Sequence, residues 1–436
     1  MKKVKIGDFL HRIKETVNIQ DIEEYKRVTI RSKNKGIFLR NIALGKDIGT
    51  KKQFIISKGQ FLLSKIDARF GAFGIVPENL DKAIITGNFW AYEVDKNIID
   101  IELFNIFVSS KNFIEICSKA SSGTTHRKYL DEKKFLNFEI DFPPLEEQKV
   151  IIKSYRKKNN YNLLLQSEIH TQQTLLKKLR QSILQEAIEG KLTKEWREQN
   201  HDVESASILL EKIKQEKEQL LKDKKIKKQK PLLPISEDEI PFDIPDSWKW
   251  CRLGEICNYG SSPKIEPKEL NEDTWILDLE DIEKESSKLL QKVRADKRKT
   301  SSSKSKFYIG NVLYSKLRPY LDKVIVADED GVCTTEILPL HFYGSINSYY
   351  SKYALKRRDF LLYVNNITKG IKMPRLGTKD GQKALYPLPP LQEQKEIVKK
   401  IENLFAVCDA LEIEIESSKK SSERLMQVVL KEAFEK

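Results

Sequence analysis

One stretch of this chain is written twice. Pro143-Pro144-Leu145-Glu146-Glu147-Gln148-Lys149 returns as Pro389-Pro390-Leu391-Gln392-Glu393-Gln394-Lys395, displaced by 389 − 143 = 246 positions. The displacement then holds without a gap to the last residue: Leu165 falls on Leu411, Ile169 on Ile415 and Leu179 on Leu425. A repeat of this length constrains the architecture before any single residue is interpreted.

Both copies read as helix starts. Proline suits a first helical turn, where its missing N–H has no intrahelical partner to lose. Glu146 and Glu147 stand where the helix dipole favours negative charge. Beyond them apolar residues recur three and four apart: Ile151, Tyr155, Leu165, Ile169, Leu176, Leu179, Ile183 and, in the second copy, Ile397, Ile401, Leu411, Ile415, Leu425, Val429. Such a narrow stripe is a coiled-coil seam and needs a long partner helix. The other copy is the obvious one. About forty-five residues at roughly 1.5 Å each make a rod of about 65–70 Å, close to two turns of DNA at about 34–36 Å per turn. Ser418 and Ser422 replace apolar or longer residues of the first copy, which predicts a looser middle to the seam.

Each rod follows a globular stretch of similar length. Residues 1–142 hold short β-rich runs, among them Gln53-Phe54-Ile55-Ile56, Gln60-Phe61-Leu62-Leu63 and Ala83-Ile84-Ile85-Thr86, then helical spacing over 99–119. Residues 246–388 echo them. Ile6-Gly7-Asp8-Phe9 matches Leu253-Gly254-Glu255-Ile256, and Gly59-Gln60-Phe61-Leu62-Leu63-Ser64-Lys65 matches Gly310-Asn311-Val312-Leu313-Tyr314-Ser315-Lys316. Between these anchors the halves diverge. The expected order is therefore a globular domain over 1–142, a long helix over 143–190, a connector over 191–245 with a short amphipathic helix, a second globular domain over 246–388 and a second long helix over 389–436. The fold class is α+β: two mixed α/β domains and two long helices, in pseudo-two-fold tandem repeat. Residues 222–230, rich in lysine, read as solvated linker.

Seventy-eight basic against 64 acidic residues leave a net charge of +14, which favours a polyanionic partner. The five cysteines form no Cys-x-x-Cys and have no histidine at metal-ligand spacing, so a reduced cytosol fits better than disulfides or zinc. No apolar run approaches the ~20 residues of a membrane span. A phosphate-binding Gly-x-x-x-x-Gly-Lys-Ser/Thr loop is absent. An adenine methyltransferase of this class would need Asn or Asp before Pro-Pro and an aromatic after it; Phe142 and Leu388 precede the pair and leucine follows.

At these residues the chain resembles the specificity subunits of type I restriction-modification systems. The resemblance rests on the doubled Pro-Pro-Leu-x-Glu-Gln, on Glu186-Ala187-Ile188-Glu189-Gly190-Lys191-Leu192, and on the connector through Ile244-Pro245-Asp246-Ser247-Trp248-Lys249-Trp250. It implies two target-recognition domains separated by antiparallel coiled-coil helices, each reading one half of an asymmetric, bipartite site in double-stranded DNA. It also implies a non-catalytic, cytoplasmic chain. The partners would be two modification subunits that carry S-adenosylmethionine and methylate adenine, and restriction subunits that use ATP and Mg; this chain would hold no cofactor. The helix openings Pro143, Leu145, Glu147, Gln148, Pro389, Leu391, Glu393 and Gln394 resemble the family's shared region for assembly with modification subunits, although capping and wedging the helices would account for the same residues.

The candidate DNA contacts lie in two pairs of echoing loops, where small residues allow close approach and cations reach phosphate or guanine. One pair is Ser122, Gly123, Thr124, Thr125, His126, Arg127 and Lys128 with Lys369, Gly370, Lys372 and Arg375. The other is Ser64, Lys65 and Arg69 with Ser315, Lys316 and Arg318. A coiled-coil scaffold or adaptor without base recognition is the competing expectation.

Overall fold

A computed structural model describes residues 2–124, 127–368 and 372–434. The chain divides into two compact units, Met1–Thr171 with Ile415–Lys436, and Gln172–Glu414. The repeat explains why the first unit is built from both ends of the chain.

Helices Leu145–Ile188 and Leu391–Phe434 are the two longest elements. Each gives one part to each unit. In the first unit Lys158 pairs with Glu432 at 3.0 Å, and the Ser422 hydroxyl donates to Asn162 Oδ1 at 2.5 Å. In the second, Arg180 pairs with Asp409 and Glu412, and Lys400 donates to the Leu192 carbonyl at 2.7 Å. In both units a rise in number along one helix meets a fall along the other, so the helices run antiparallel. Ser422, expected at a loose point, is buried against the equally buried Asn162. A satisfied polar pair in an apolar seam favours one register over its neighbours. The first long helix stops at Gly190, whose φ of +73° costs glycine no Cβ strain. A Cβ there would also come within 2.6 Å of the Pro245 ring.

The globular parts share one topology. Lys2–Lys5 pairs antiparallel with Glu139–Phe142 in the first unit, and Lys249–Arg252 with Leu385–Leu388 in the second. A five-stranded sheet follows in each. Its spatial order in the first unit is Thr16–Asn18, Lys52–Ile56, Ala83–Ile85, Glu24–Arg31, Gly36–Leu44. In the second it is Lys264–Ile265, Lys304–Phe307, Gly331–Cys333, Trp275–Leu277, Val293–Arg294. Taken by rank along the chain the two orders are the same, and each contains one parallel pair. A smaller sheet is centred on Phe61–Ser64 and Phe89–Val94 in the first unit and on Val312–Ser315 in the second. The helical spacing over 99–119 resolves into Ile101–Val108 and Lys111–Lys119, because Ser110 caps the second helix by accepting from the Phe113 N–H.

Phenylalanines fill the first core. Phe61, Phe104 and Phe113 meet edge to face, and Phe434 from the second long helix meets Phe107 edge to face at 5.2 Å. The second core gathers Trp248, Tyr350, Tyr386, Ile397 and Ile401 with Leu209 and Ile213 of the connector helix Ala206–Lys222. Among the described residues no helix is long and apolar enough to cross a membrane, and no cluster of His, Cys, Asp and Glu could hold a metal ion.

Candidate nucleic-acid interface

In the first unit, strand Phe61–Ser64 runs into the loop 65–71. Ser64 is buried and its hydroxyl accepts the Asp67 N–H at 3.2 Å, which bends the loop. One short turn, Ala68–Phe70, ends at Gly71 with φ +79°. The hairpin formed by Ser121–Thr124 and Arg127–Leu130 docks beside this loop, because the Leu130 N–H donates to the Lys65 carbonyl at 2.7 Å. Lys65 Nζ lies 5.8 Å from the centre of the Tyr129 ring, and the Arg69 guanidinium lies 4.6 Å from that of Phe70. Tyr129 and Phe70 are exposed, so each cation rests on an aromatic face open to solvent. Lys128 is exposed opposite Gly123, and Ser122 is exposed on the same strand. Thr124 and Arg127 pair as backbone. Thr125 and His126 lie outside the described residues.

The second unit repeats the junction. Leu376 N–H donates to the Lys316 carbonyl at 2.9 Å, the counterpart of the Leu130 to Lys65 bond. Arg318 N–H donates to the Pro374 carbonyl at 2.7 Å and its Nη2 to the Lys372 carbonyl at 3.3 Å. Lys316, Arg318, Lys372 and Arg375 are thereby brought onto two adjoining loops. Ser315 is buried, donating its hydroxyl to the Leu317 carbonyl at 2.8 Å, so like Ser64 it shapes the loop from beneath. Arg375 Nε donates to Glu336 Oε2 at 3.0 Å, which holds that guanidinium where the first unit leaves its cations on rings. Lys369 and Gly370 lie outside the described residues.

At the helix openings the two glutamines are buried struts. Gln148 accepts the Asp100 N–H at 2.8 Å and donates to the carbonyls of Ile98 and Pro143. Gln394 accepts the Asn347 N–H at 2.8 Å and donates to the Pro389 carbonyl. Asp100 and Asn347 cap helices Ile101–Val108 and Ser348–Leu355, so each glutamine ties a long helix to a short one of its own unit. Pro143 and Pro389 are buried, Leu145 is at the surface and Leu391 is half-buried. Glu147 is exposed. Glu393 is fully buried and takes hydrogen bonds from Thr193 Oγ1 at 2.7 Å, Trp248 Nε1 at 2.8 Å and Arg197.

One basic element escaped sequence reasoning. Glu24–Arg31 and Gly36–Leu44 form a long ribbon whose turn carries Arg31, Lys33 and Lys35. An Asn-containing turn before glycine, between alternating strands, was the available signal. Its place beside the loop 65–71 could not be read from the string.

The comparisons with known proteins agree with this duplicated plan. A family model described as the type I restriction modification DNA specificity domain matches residues 1–174 and again 245–418. The chain is 30% identical over 265 residues to the type I restriction enzyme EcoDI specificity subunit of Escherichia coli, covering 60% of this chain and 53% of that protein. It is 25% identical over 390 residues to the EcoEI specificity subunit of the same organism, covering 74% of this chain and 63% of that one. The matches thus span between about half and just under two thirds of these curated relatives. A solved structure described as the structural basis of complex assembly and conformational transition of the type I R-M system superposes with a TM-score of 0.63 and 18% identity, over 99% of this chain and 97% of the other.

Proposed function

We propose that this chain, which belongs to the type I restriction modification DNA specificity domain family, is the sequence-specificity subunit of such a system, each globular unit reading one half of an asymmetric, bipartite DNA site. The observation that carries this is the recurrence of one loop junction in two units that share a topology but have divergent side chains. Leu130 to Lys65 and Leu376 to Lys316 are the same backbone bond, and each brings cations of two loops together. Phosphate contacts from such cations position a protein on the duplex, and dissimilar side chains around them can read dissimilar bases.

In this reading the chain itself catalyses nothing and works in the cytoplasm. Modification subunits bring S-adenosylmethionine and methylate adenine, restriction subunits bring ATP- and Mg-dependent chemistry, and the antiparallel helices set the interval between the half-sites. Exposed Glu147 and Leu145 are the helix-opening residues able to meet a modification subunit; buried Gln148 and Gln394 serve that surface by holding it in place.

The test is to map methylated adenines in the host chromosome with the chain present and deleted. A two-part motif that disappears on deletion is the expected result. Lys65→Gln/Arg69→Gln should weaken binding of the assembled complex to that site, and the slope of log K against log[salt] should become shallower by about 0.9 for each phosphate left without its cation. Binding that ignores both salt and sequence would instead favour a scaffold without base recognition.

A further inference from the structure

The ribbon of the first unit ends in a turn over residues 31–35 that is fastened to the loop 65–71. Lys33 N–H donates to the Phe70 carbonyl at 2.7 Å, Asn34 N–H to the Gly71 carbonyl at 3.0 Å, and Asn34 Nδ2 to the Ser109 carbonyl at 3.1 Å. A Cβ on Gly71 would come within 2.5 Å of Asn34 Oδ1, so the approach is as close as glycine allows. Lys33 and Asn34 both take positive φ, 63° and 55°, which turns the chain back tightly enough to reach the loop. The loop is in turn bonded to Leu130, so three segments converge on one edge of the unit.

That edge is strongly basic. Segments 31–35, 65–71 and 127–130 contain Arg31, Lys33, Lys35, Lys65, Arg69, Arg127 and Lys128 against the single acid Asp67. Arg31, Lys33 and Lys35 are exposed, and among the described residues none of the three has an acidic partner. Arg31 is held 4.5 Å over the Phe38 ring, so its guanidinium is partly oriented before any ligand arrives.

The second unit makes the same connection without the basic excess. Glu285, also at positive φ (64°), donates its N–H to the Leu321 carbonyl at 2.9 Å, and Leu321 stands where Phe70 stands in the first unit. There the connecting segment 278–292 contains Asp278, Glu280, Asp281, Glu283 and Glu285 against Lys284, Lys288 and Lys292. Its acids are partly spoken for within the unit, while Glu280, Glu283, Lys284, Glu285 and Lys288 stay exposed. Asp281 is wholly buried against Arg298 and Gln291, Glu285 pairs with Lys177 of the long helix, and the Ser287 hydroxyl donates to the Asp322 carbonyl at 2.8 Å. One backbone bond thus places a free cationic turn in the first unit and a turn in the second whose two lysines are matched by Glu283 and Glu285.

We infer that the turn 31–35 is a further DNA-backbone contact, in which Arg31, Lys33 and Lys35 clamp phosphates next to those held by Lys65 and Arg69, and that the second unit has no equivalent clamp. The inference rests on the DNA reading proposed above. It makes the first unit the stronger electrostatic anchor and leaves base choice to other side chains, because phosphate contacts carry no sequence information themselves.

The experiment uses the full chain assembled with its modification subunits and two labelled duplexes, one carrying the site the host methylates and one scrambled. Arg31→Gln/Lys33→Gln/Lys35→Gln should lower affinity for both duplexes alike and reduce the salt slope by about 2–3, at about 0.9 per neutralised phosphate. Lys33→Arg/Lys35→Arg should keep the wild-type slope, as a charge contact requires and a purely conformational role of lysine does not. Lys284→Gln/Lys288→Gln in the second unit should leave the slope unchanged. An unaltered slope in the triple variant, with Lys65→Gln/Arg69→Gln still lowering it, overturns the clamp and leaves the DNA reading standing. A change confined to the site duplex also overturns it, since that marks base contact. If the wild-type complex itself fails to distinguish the two duplexes or to respond to salt, the underlying reading fails, and the clamp with it.

Discussion

Glu147 and Glu393 occupy the same position of the same repeat, one residue before matching glutamines, yet one faces solvent and the other has almost none. The difference lies in what crosses the helix start. In the second unit the connector brings Thr193 and Arg197, and the start of the second globular domain brings Trp248, over Glu393; in the first, Glu147 is uncovered. The glutamines beside them do identical work because their partners, the caps of the following short helices, belong to the repeat. A repeated residue keeps its role only where its surroundings repeat as well.

The most severe way to probe this contrast is to truncate both glutamates. Glu393→Ala leaves a guanidinium, an indole N–H and a hydroxyl without their acceptor in a closed space, and should destabilise the second unit by about 3–5 kcal/mol. Glu147→Ala should stay within about 0.5 kcal/mol. Denaturant midpoints measured on both variants decide it; equal losses would abolish the distinction.

Gln148→Leu and Gln394→Leu should instead behave alike, each costing about 2–3 kcal/mol, since each strands buried backbone groups worth about 1–3 kcal/mol apiece. Hydrogen exchange should speed up at the Asp100 amide in the first variant and at the Asn347 amide in the second. Faster exchange at only one would show that the two struts have drifted apart.

A pH dependence separates the units next. Asp322 stands where the first unit has Gly71, and its carboxylate meets Lys356 Nζ at 2.6 Å with both side chains buried. Burial pushes the Asp322 carboxyl up to about 6 and draws the Lys356 ammonium below its usual range. A carboxyl with a raised folded-state pKa binds its proton more tightly than the unfolded chain does, so stability falls as pH climbs from about 4 to about 6. The effect of this one group is on the order of 3 kcal/mol. Unfolding of the second unit should show that slope and Asp322→Asn should remove it, while Gly71 gives the first unit no such contribution. A slope that survives the substitution belongs to another group.

The smallest contrast is in the seam. Asn162→Ala breaks a buried hydrogen bond with Ser422 and should cost the first unit about 1–2 kcal/mol at any ionic strength. Arg180→Ala removes ion pairs with two largely exposed carboxylates and should cost the second unit under about 1 kcal/mol, less in high salt. Thermal melts at two salt concentrations distinguish them, and a salt-sensitive Asn162 effect would contradict the assignment.

What the residues alone determined is what depends on near neighbours. Proline before Leu145 and Leu391, glutamates in the first turn and an apolar stripe at helical spacing specify two long helices, because capping and amphipathicity act within a few residues. The helices Leu145–Ile188 and Leu391–Phe434 follow from these signals, and the doubling itself implied that they seek each other. The tertiary structure alone decided which loops meet. Arg27 lies beside Ile84, Lys33 beside Phe70 and Glu285 beside Leu321, at separations where no periodicity operates and strand order is set by packing of the whole sheet. The shared five-strand order of the two units was therefore invisible between the anchors, where the side chains had diverged but the backbone pairing had not. Burial belongs to the same class: Glu393 became a structural acceptor only because residues more than 140 positions earlier in the chain, Thr193, Arg197 and Trp248, fold over it.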